Sequence, residues 1–132
     1  MSKMHKVLEP TYLGRALYTG EDNPDEPVLM IPFFLFEGEF RKMSSNAKLM
    51  YALLLERAYH AIQNKTVDVD DEGRMFIFYT NEELQKKLRV SDKTVTKVQN
   101  ELKMFELIAT IQQGLGKPNR IYILVPPEGQ ME

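Results

Sequence analysis

The order of apolar patterns in this chain predicts an α+β fold, and three observations carry the prediction. A broadly apolar helical stretch starts at Ser44. Two shorter capped helices then follow one another across a tight turn at residues 90–91, and two β-rich runs, 107–113 and 120–125, close around a glycine-bearing loop. Two helices across a tight turn with a hairpin directly behind them form the layout of a winged helix-turn-helix. That domain is expected over 44–126, behind a short N-terminal extension over 1–43 and ahead of a tail or truncation point over 127–132.

Within the extension, "TYLGRALYTG" (11–20) reads as a short strand and "EDNPDEP" (21–27) as a polar, proline-bounded turn. "VLMIPFFLF" (28–36) is densely apolar and interrupted by Pro32, so it reads as an edge strand running into a short turn. A small domain gains nothing from leaving such a stretch in water, which assigns it either to the core or to a dimer contact.

The helix from Ser44 opens with two hydroxyls, Ser44 and Ser45, able to cap the free N–H groups of its first turn. Leu49, Ala52, Leu53, Ala58 and Ile62, with Met50, Leu54 and Leu55, spread apolar surface over more than half its circumference. Such a helix is buried on most sides and lies at the centre of the fold. It is expected to end near Asn64, before the acidic turn "TVDVDDEGR". "RMFIFYT" (74–80) then alternates as a strand, Met75, Ile77 and Tyr79 on one face and Phe76 and Phe78 on the other, apolar on both and hence covered on both.

Thr80 and Glu83 have the spacing of a capping box, and Leu84 and Leu88 lie one turn apart on the short helix that follows, which ends around Arg89. Ser91 opens the next helix, where Val95, Val98, Leu102 and Phe105 form a single apolar stripe over about 92–106. The two β-rich runs behind it pair as a hairpin.

The loop "GLGKPNR" (114–120) invites comparison with a phosphate-binding loop, which needs Gly-Lys followed by Ser or Thr at the start of a helix. Here Pro118 follows Lys117, offering neither a hydroxyl nor an N–H, and a strand comes next. The three-glycine dinucleotide fingerprint fails as well. The loop is therefore the wing, with Gly114 and Gly116 allowing the turn, Lys117 and Arg120 placing positive charge at its tip, and Asn119 adding a hydrogen-bonding amide. A wing beside a recognition helix meets the DNA backbone or the minor groove.

At about 100° per residue, the apolar stripe of the second helix of the pair leaves Lys93, Thr96, Lys97 and Asn100 facing outward. Thr94 and Glu101 flank that face on one side and Lys103 on the other. Lysine can hold phosphate or guanine, asparagine can pair with adenine, and threonine can touch the thymine methyl in a major groove. Ser91 and the helix start add a phosphate anchor, and Lys86, Lys87 and Arg89 on the preceding helix add backbone contacts.

Composition narrows the class without naming it. With no cysteine, disulfides, thiolate catalysis and thiolate zinc sites are excluded. No apolar run is long enough for a membrane span or a signal peptide, so the reading is cytoplasmic, with no membrane partner. The net charge is −2, yet residues 20–40 carry six acids and no base while residues 80–120 carry eight bases against five acids. One end of the domain thus suits a polyanion. Asp68, Asp70, Glu72 and Gly73 faintly resemble a calcium loop, but Tyr79 stands where its bidentate glutamate belongs. His5 and His60 lack partners at ligand spacing, and Glu82-Glu83 suits the positive end of a helix dipole. The expectation is a binding protein with no metal and no cofactor, rather than an enzyme.

"MSSNAKLMYALLLERAYHAIQN", "FIFYTNEELQKKLRVSDKTVTKVQNELKMFELI" and "QQGLGKPNRIYIL" resemble the N-terminal domain of the RepA_N family of plasmid replication initiators over roughly residues 28–126. "NAKLMYALLLER" and "QGLGKPNRIY" are the most specific stretches. The resemblance implies sequence-specific binding of repeats at a plasmid origin to initiate theta replication, with Lys93, Thr96, Lys97 and Asn100 and the Lys117 and Arg120 wing approaching those repeats. It also implies a homodimer, for which residues 28–36 are the candidate contact, and half-sites about 10 bp apart. Members of the family carry a C-terminal domain tied to host replication factors, whereas this chain stops at "PPEGQME", as an isolated N-terminal domain does. Two rival readings share the element order: a protein-gripping winged helix like those of primosome assembly factors, and a transcription regulator. The first predicts weak duplex binding without sequence preference.

Overall fold

The computed structural model describes residues 11–13, 15–16 and 27–127. His5, the polar turn at 21–26 and the tail beyond 127 lie outside them. In 11–20 the expected strand is a minimal hairpin, β1 (Thr11–Tyr12) pairing antiparallel with β2 (Arg15–Ala16). The edge strand expected at 28–36 does not form. Residues 27–32 have no regular structure and lead into a 3-10 helix at Phe33–Phe36, followed by a second at Gly38–Lys42. Pro32 explains the change, because it offers no N–H to a ladder, and its fixed φ of −60° starts a tight turn in which the Leu35 N–H donates to the Pro32 carbonyl at 3.2 Å. This tight turning also divides the apolar run between two fates. Phe34 and Leu35 are buried, while Val28, Met30, Phe33 and Phe36 are exposed. Phe34 meets Phe40 and Tyr51 edge-on at ring distances of 5.3 and 5.7 Å, so this segment seals the first half of the long helix.

That helix, α1 (Ser45–Gln63), is capped by Ser44 alone, whose Oγ accepts the Ala47 N–H at 3.1 Å; Ser45 is already helical. Ala47, Met50, Tyr51, Ala52 and Leu54 are buried and Leu53, Leu55 and Ala58 partly so, as the wide apolar surface predicts. Ile62 departs from the expectation at 53% exposure, because the last turn of α1 extends past the packed elements. Tyr51 is fully enclosed and its hydroxyl donates to the Leu124 carbonyl at 2.8 Å, tying α1 to the segment just after the last strand. Burial pushes its pKa up to about 12.

The acidic turn is more ordered than its composition suggests. It is the tip of a hairpin formed by β3 (Asp68–Val69) and β4 (Met75–Phe76). Asp70 holds it, accepting the backbone N–H groups of Glu72 and Arg74, the Arg74 Nε–H and the Tyr122 hydroxyl, each at 2.9 Å. The Arg74 backbone N–H is the main reason its carboxyl titrates well below the usual range.

After β4 come α2 (Asn81–Leu88), α3 (Asp92–Met104) and the hairpin of β5 (Ile108–Ile111) and β6 (Arg120–Ile123). Ile77 bridges to Ile121 through two backbone bonds of 2.9 Å, so the segment after β4 lies beside β6 and the hairpin is docked on the helical core. This arrangement is a winged helix-turn-helix. The capping box at Thr80 and Glu83 is present in both directions, Arg89 ends α2 in the left-handed conformation (φ 56°), and Ser91 caps α3. α3 is shorter than expected: it stops at Met104, Phe105 packs on Phe40 at a ring distance of 6.1 Å, and Glu106 turns the chain with φ 58°. The core gathers Leu35, Met50, Tyr51, Leu54, Leu84, Val95, Leu102 and Leu107, all essentially inaccessible to water.

One ion pair joins α1 to the start of α2. The Arg57 guanidinium donates to both carboxylate oxygens of Glu83 (3.1 and 2.8 Å) and to the Phe78 carbonyl (3.0 Å), and stacks 3.6 Å above the Tyr79 ring. The Glu83 carboxyl is held down to about 2 from 4.5, first by the Arg57 hydrogen bonds and then by the Thr80 N–H.

Two predictions follow from this packing. Leu102→Ala lowers the unfolding free energy by about 2–5 kcal/mol in urea denaturation, whereas Ile62→Ala changes it by less than about 0.5 kcal/mol; comparable losses at the two sites would contradict the burial assigned to them. Because the folded-state pKa of Glu83 lies below its unfolded value, its contribution is complete above 4.5 and is lost as pH falls toward about 2. The stability gap between the parent and Glu83→Gln, measured at about pH 6 and about pH 3, therefore narrows on acidification, and a gap that stays constant would refute the linkage.

Candidate nucleic-acid interface

α3 is clamped on both flanks, and this decides which side chains remain free. On one flank Gln99 Nε2 donates to Asn81 Oδ1 at 3.2 Å and Asn81 Nδ2 donates to Asp92 at 3.4 Å, so the first residue of α2 spans two turns of α3. On the other, the Glu101 carboxylate accepts the Ser44 N–H and the Ser44 hydroxyl, both at 2.7 Å, fixing α3 to the start of α1. Glu101 thus faces the body of the domain. Between the clamps Lys93, Thr96, Lys97 and Asn100 are exposed, in the orientation that the apolar stripe of Val95, Val98 and Leu102 requires. Met104, 78% exposed, lies one turn beyond Asn100.

Ser91 and Thr94 are partly engaged. The Ser91 hydroxyl accepts the Thr94 N–H and donates to the Thr94 hydroxyl, both at 3.1 Å, so the two complete the helix cap, and Thr94 is half-buried. Lys86, Lys87 and Arg89 are exposed in the last turn of α2 and its cap, at the opposite end from Asn81.

The wing is braced from within. Gln113 Nε2 donates to the Pro118 carbonyl at 2.9 Å, Gln113 Oε1 accepts the Arg120 Nε–H at 3.0 Å, and the Lys117 N–H closes on the Gly114 carbonyl at 3.2 Å. Gly114 (φ 138°) and Gly116 (φ 77°) occupy backbone conformations closed to other residues without strain. Lys117 and Asn119 are exposed on the loop, as expected. Arg120 is not at the tip. It is the first residue of β6, paired with Ile111, and its guanidinium lies 4.5 Å over the Phe76 ring, so its charge sits at the base of the wing. Cross-strand register places it there, because the side of β6 that carries Arg120 and Tyr122 is the side on which Phe76 lies.

Between wing and helices runs a cleft of about 250 Å³, lined by Thr80 and Asn81 from the start of α2, Gln99 and Lys103 from α3, and Lys117 and Asn119 from the wing. Of the residues offered by the sequence as DNA contacts, only Lys117 and Asn119 line it; Thr80, Asn81, Gln99 and Lys103 were not among those contacts. The flanking position of Lys103 on the helical wheel was the one signal available for it. Among the described residues, Lys93, Lys97, Lys103 and Lys117 have no ion-pair partner, the bridges there being Lys42–Glu39, Arg57–Glu83, Arg74–Asp70 and Arg74–Glu72. Lys103 and Lys117 thus line a polar cleft together with amides, while Lys93 and Lys97 stand on the exposed face of α3, an arrangement able to hold an extended polyanion. Among the described residues no group of three His, Cys, Asp or Glu side chains could hold a metal ion, and no helix is long and apolar enough to cross a membrane.

Comparison with known proteins places this architecture. A solved structure described as the N-terminal domain of a DNA binding protein superposes with a TM-score of 0.66 at 28% identity, covering 89% of this chain and 90% of that one. A structure of a Rep–DNA complex gives 0.66 at 29% identity over 84% and 85% of the two chains, and a structure of an MDR initiator gives 0.63 at 29% over 84% and 87%. A 41 kDa protein of Lactobacillus helveticus is 23% identical over 100 residues, 71% of this chain but 28% of that protein, so this chain spans less than a third of that relative. The family model for the N-terminus of replication initiator protein A, RepA_N, matches residues 28–125, and the chain belongs to that family.

Proposed function

We propose that this domain binds repeats at a plasmid origin as duplex DNA, sequence-specifically, and so begins theta-type replication. The observation that carries the reading is the cleft in which Lys103 of α3 and Lys117 of the wing, both without ion-pair partners among the described residues, face one polar space. A DNA strand lying along it puts α3 in the major groove and the wing against the neighbouring backbone or minor groove. Asn100, with Thr96 and Lys97 beside it, then reads base edges. Lys93, Lys103, Lys117 and Asn119 hold phosphates, and Ser91, Thr94, Lys86, Lys87, Arg89 and Arg120 form the outer contacts. Support comes from family membership and from the structural likeness to a Rep protein in complex with DNA. Binding rather than catalysis is the proposed activity, in the cytoplasm, with host replication factors engaged by a further domain.

The same proposal includes a homodimer. Val28 and Met30 form an apolar groove with Leu55 and Tyr59, and Phe33 stands 85% exposed in the same N-terminal segment. A contact there leaves the cleft free for DNA.

Fluorescence anisotropy from about 50 to 200 mM salt, with an origin-repeat duplex against a scrambled one, tests the reading. The parent should prefer the repeat by roughly a thousandfold. Lys103→Ala and Lys117→Ala should each weaken both duplexes and reduce the salt slope by about one, while Asn100→Ala costs about 1–3 kcal/mol of discrimination. Equal affinity for the two duplexes would overturn sequence-specific binding and favour a protein-gripping role.

A further inference from the structure

We propose that Leu115 is an apolar wedge, carried by the wing into the DNA minor groove, where it opens a base step and bends the duplex. The inference rests on the duplex-binding reading above and extends it from where the DNA lies to what is done to it.

Three observations converge on the residue. Leu115 is 101% exposed, the most open of the large apolar side chains in the described residues, and it stands at the apex of a loop whose neighbours are cationic and polar. A lone exposed leucine needs no explanation by itself. This one, however, is flanked by Gly114 and Gly116, and a Cβ built at either glycine would meet no atom within 4 Å. The tip therefore stands clear of the domain and is narrow, with one side chain projecting between two residues that have none. A profile of that kind suits a minor groove about 6 Å wide, which a broader loop could not enter.

The tip is also held in shape before any contact is made. The Gln113 side chain spans the loop base to Pro118 and Arg120, and the Lys117 N–H closes on Gly114. An apolar group displayed on a floppy loop would lose its ordering entropy on insertion, whereas a braced one does not. Position supplies the target. Lys117 and Asn119, two and four residues on, line the cleft shared with α3, so a duplex read by α3 presents its adjacent minor groove to the wing apex. Lys117 next to that groove meets its phosphates, and Leu115 has only sugar and base surface to contact. Apolar side chains that enter a minor groove unstack a step and kink the duplex toward the major groove.

The test uses the full 132-residue chain and a duplex carrying one origin repeat, labelled at its ends for energy transfer and carrying 2-aminopurine at successive steps beside the repeat. With the parent, 2-aminopurine brightens at one step and the ends approach. Leu115→Ala should abolish the brightening, relax the bend and weaken binding about tenfold while leaving the salt slope unchanged, since no phosphate contact is lost. Leu115→Met should retain the bend. Lys117→Ala should show the reverse signature, a shallower salt slope with the step still opened. If the parent binds the repeat and no step brightens, the wedge is wrong and the duplex-binding reading stands. A Leu115→Ala protein that opens the step as the parent does would also overturn it, and would leave the side chain to a protein contact. Absence of any duplex binding by the parent would remove both.

Discussion

The position of α3 against the rest of the domain depends on the Glu83 carboxylate. It completes the capping box that starts α2 and takes both N–H groups that Arg57 sends from the middle of α1, while the same guanidinium covers Tyr79. The start of α2 is thereby set against α1, and Asn81, its first residue, transmits that setting to α3 through Asp92 and Gln99. A carboxyl held near 2 stays ionised throughout the neutral range, so the node does not titrate under ordinary conditions. Hydrophobic burial supplies most of the stability, but it is non-directional; this polar chain of contacts fixes the angle at which α3 is displayed.

The charges of the domain divide by role. Arg57, Arg74 and Arg120 are all engaged internally, each with its guanidinium over an aromatic ring: Tyr79, Tyr122 and Phe76 respectively. The exposed cations of α3 and the wing loop are lysines, Lys93, Lys97, Lys103 and Lys117. Arginine's planar, weakly hydrated head stacks and pairs in fixed geometry, while a lysine is a mobile point charge that follows a phosphate backbone without fixing a register. On α3 and the wing loop the unpaired cations are therefore lysines, while these three arginines are held within the fold, Arg120 at the base of the wing.

Much of the fold was legible in the sequence because its signals are local. Ser44, the Thr80 and Glu83 pair and Ser91 mark helix starts within four residues, and the Val95, Val98 and Leu102 stripe orients α3 from periodicity alone. What escaped depends on register between distant segments. Asp70 looked like one more acid in a solvated turn until Tyr122, 52 residues away, was placed beside it. Arg120 was read as a tip residue because loop length alone does not reveal where strand pairing resumes, and Asn81 and Gln99 acquire meaning only once α2 and α3 are packed. The apolar run at 28–36 resisted a single assignment for a physical reason: a 3-10 turn sends adjacent phenylalanines to opposite environments, with Phe34 in the core and Phe33 in water.

On the proposed reading, duplex DNA occupies the space between α3 and the wing. Amide chemical-shift perturbation of the labelled protein, on titration with an origin-repeat duplex, tests it most directly. The perturbed amides should cluster on the outward face of α3, on the wing at 114–119 and at Thr80 and Asn81, leaving the exposed residues Val28, Met30 and Tyr59 unaffected by DNA. Perturbations confined to the N-terminal segment and the second half of α1, with the cleft unchanged, would contradict it.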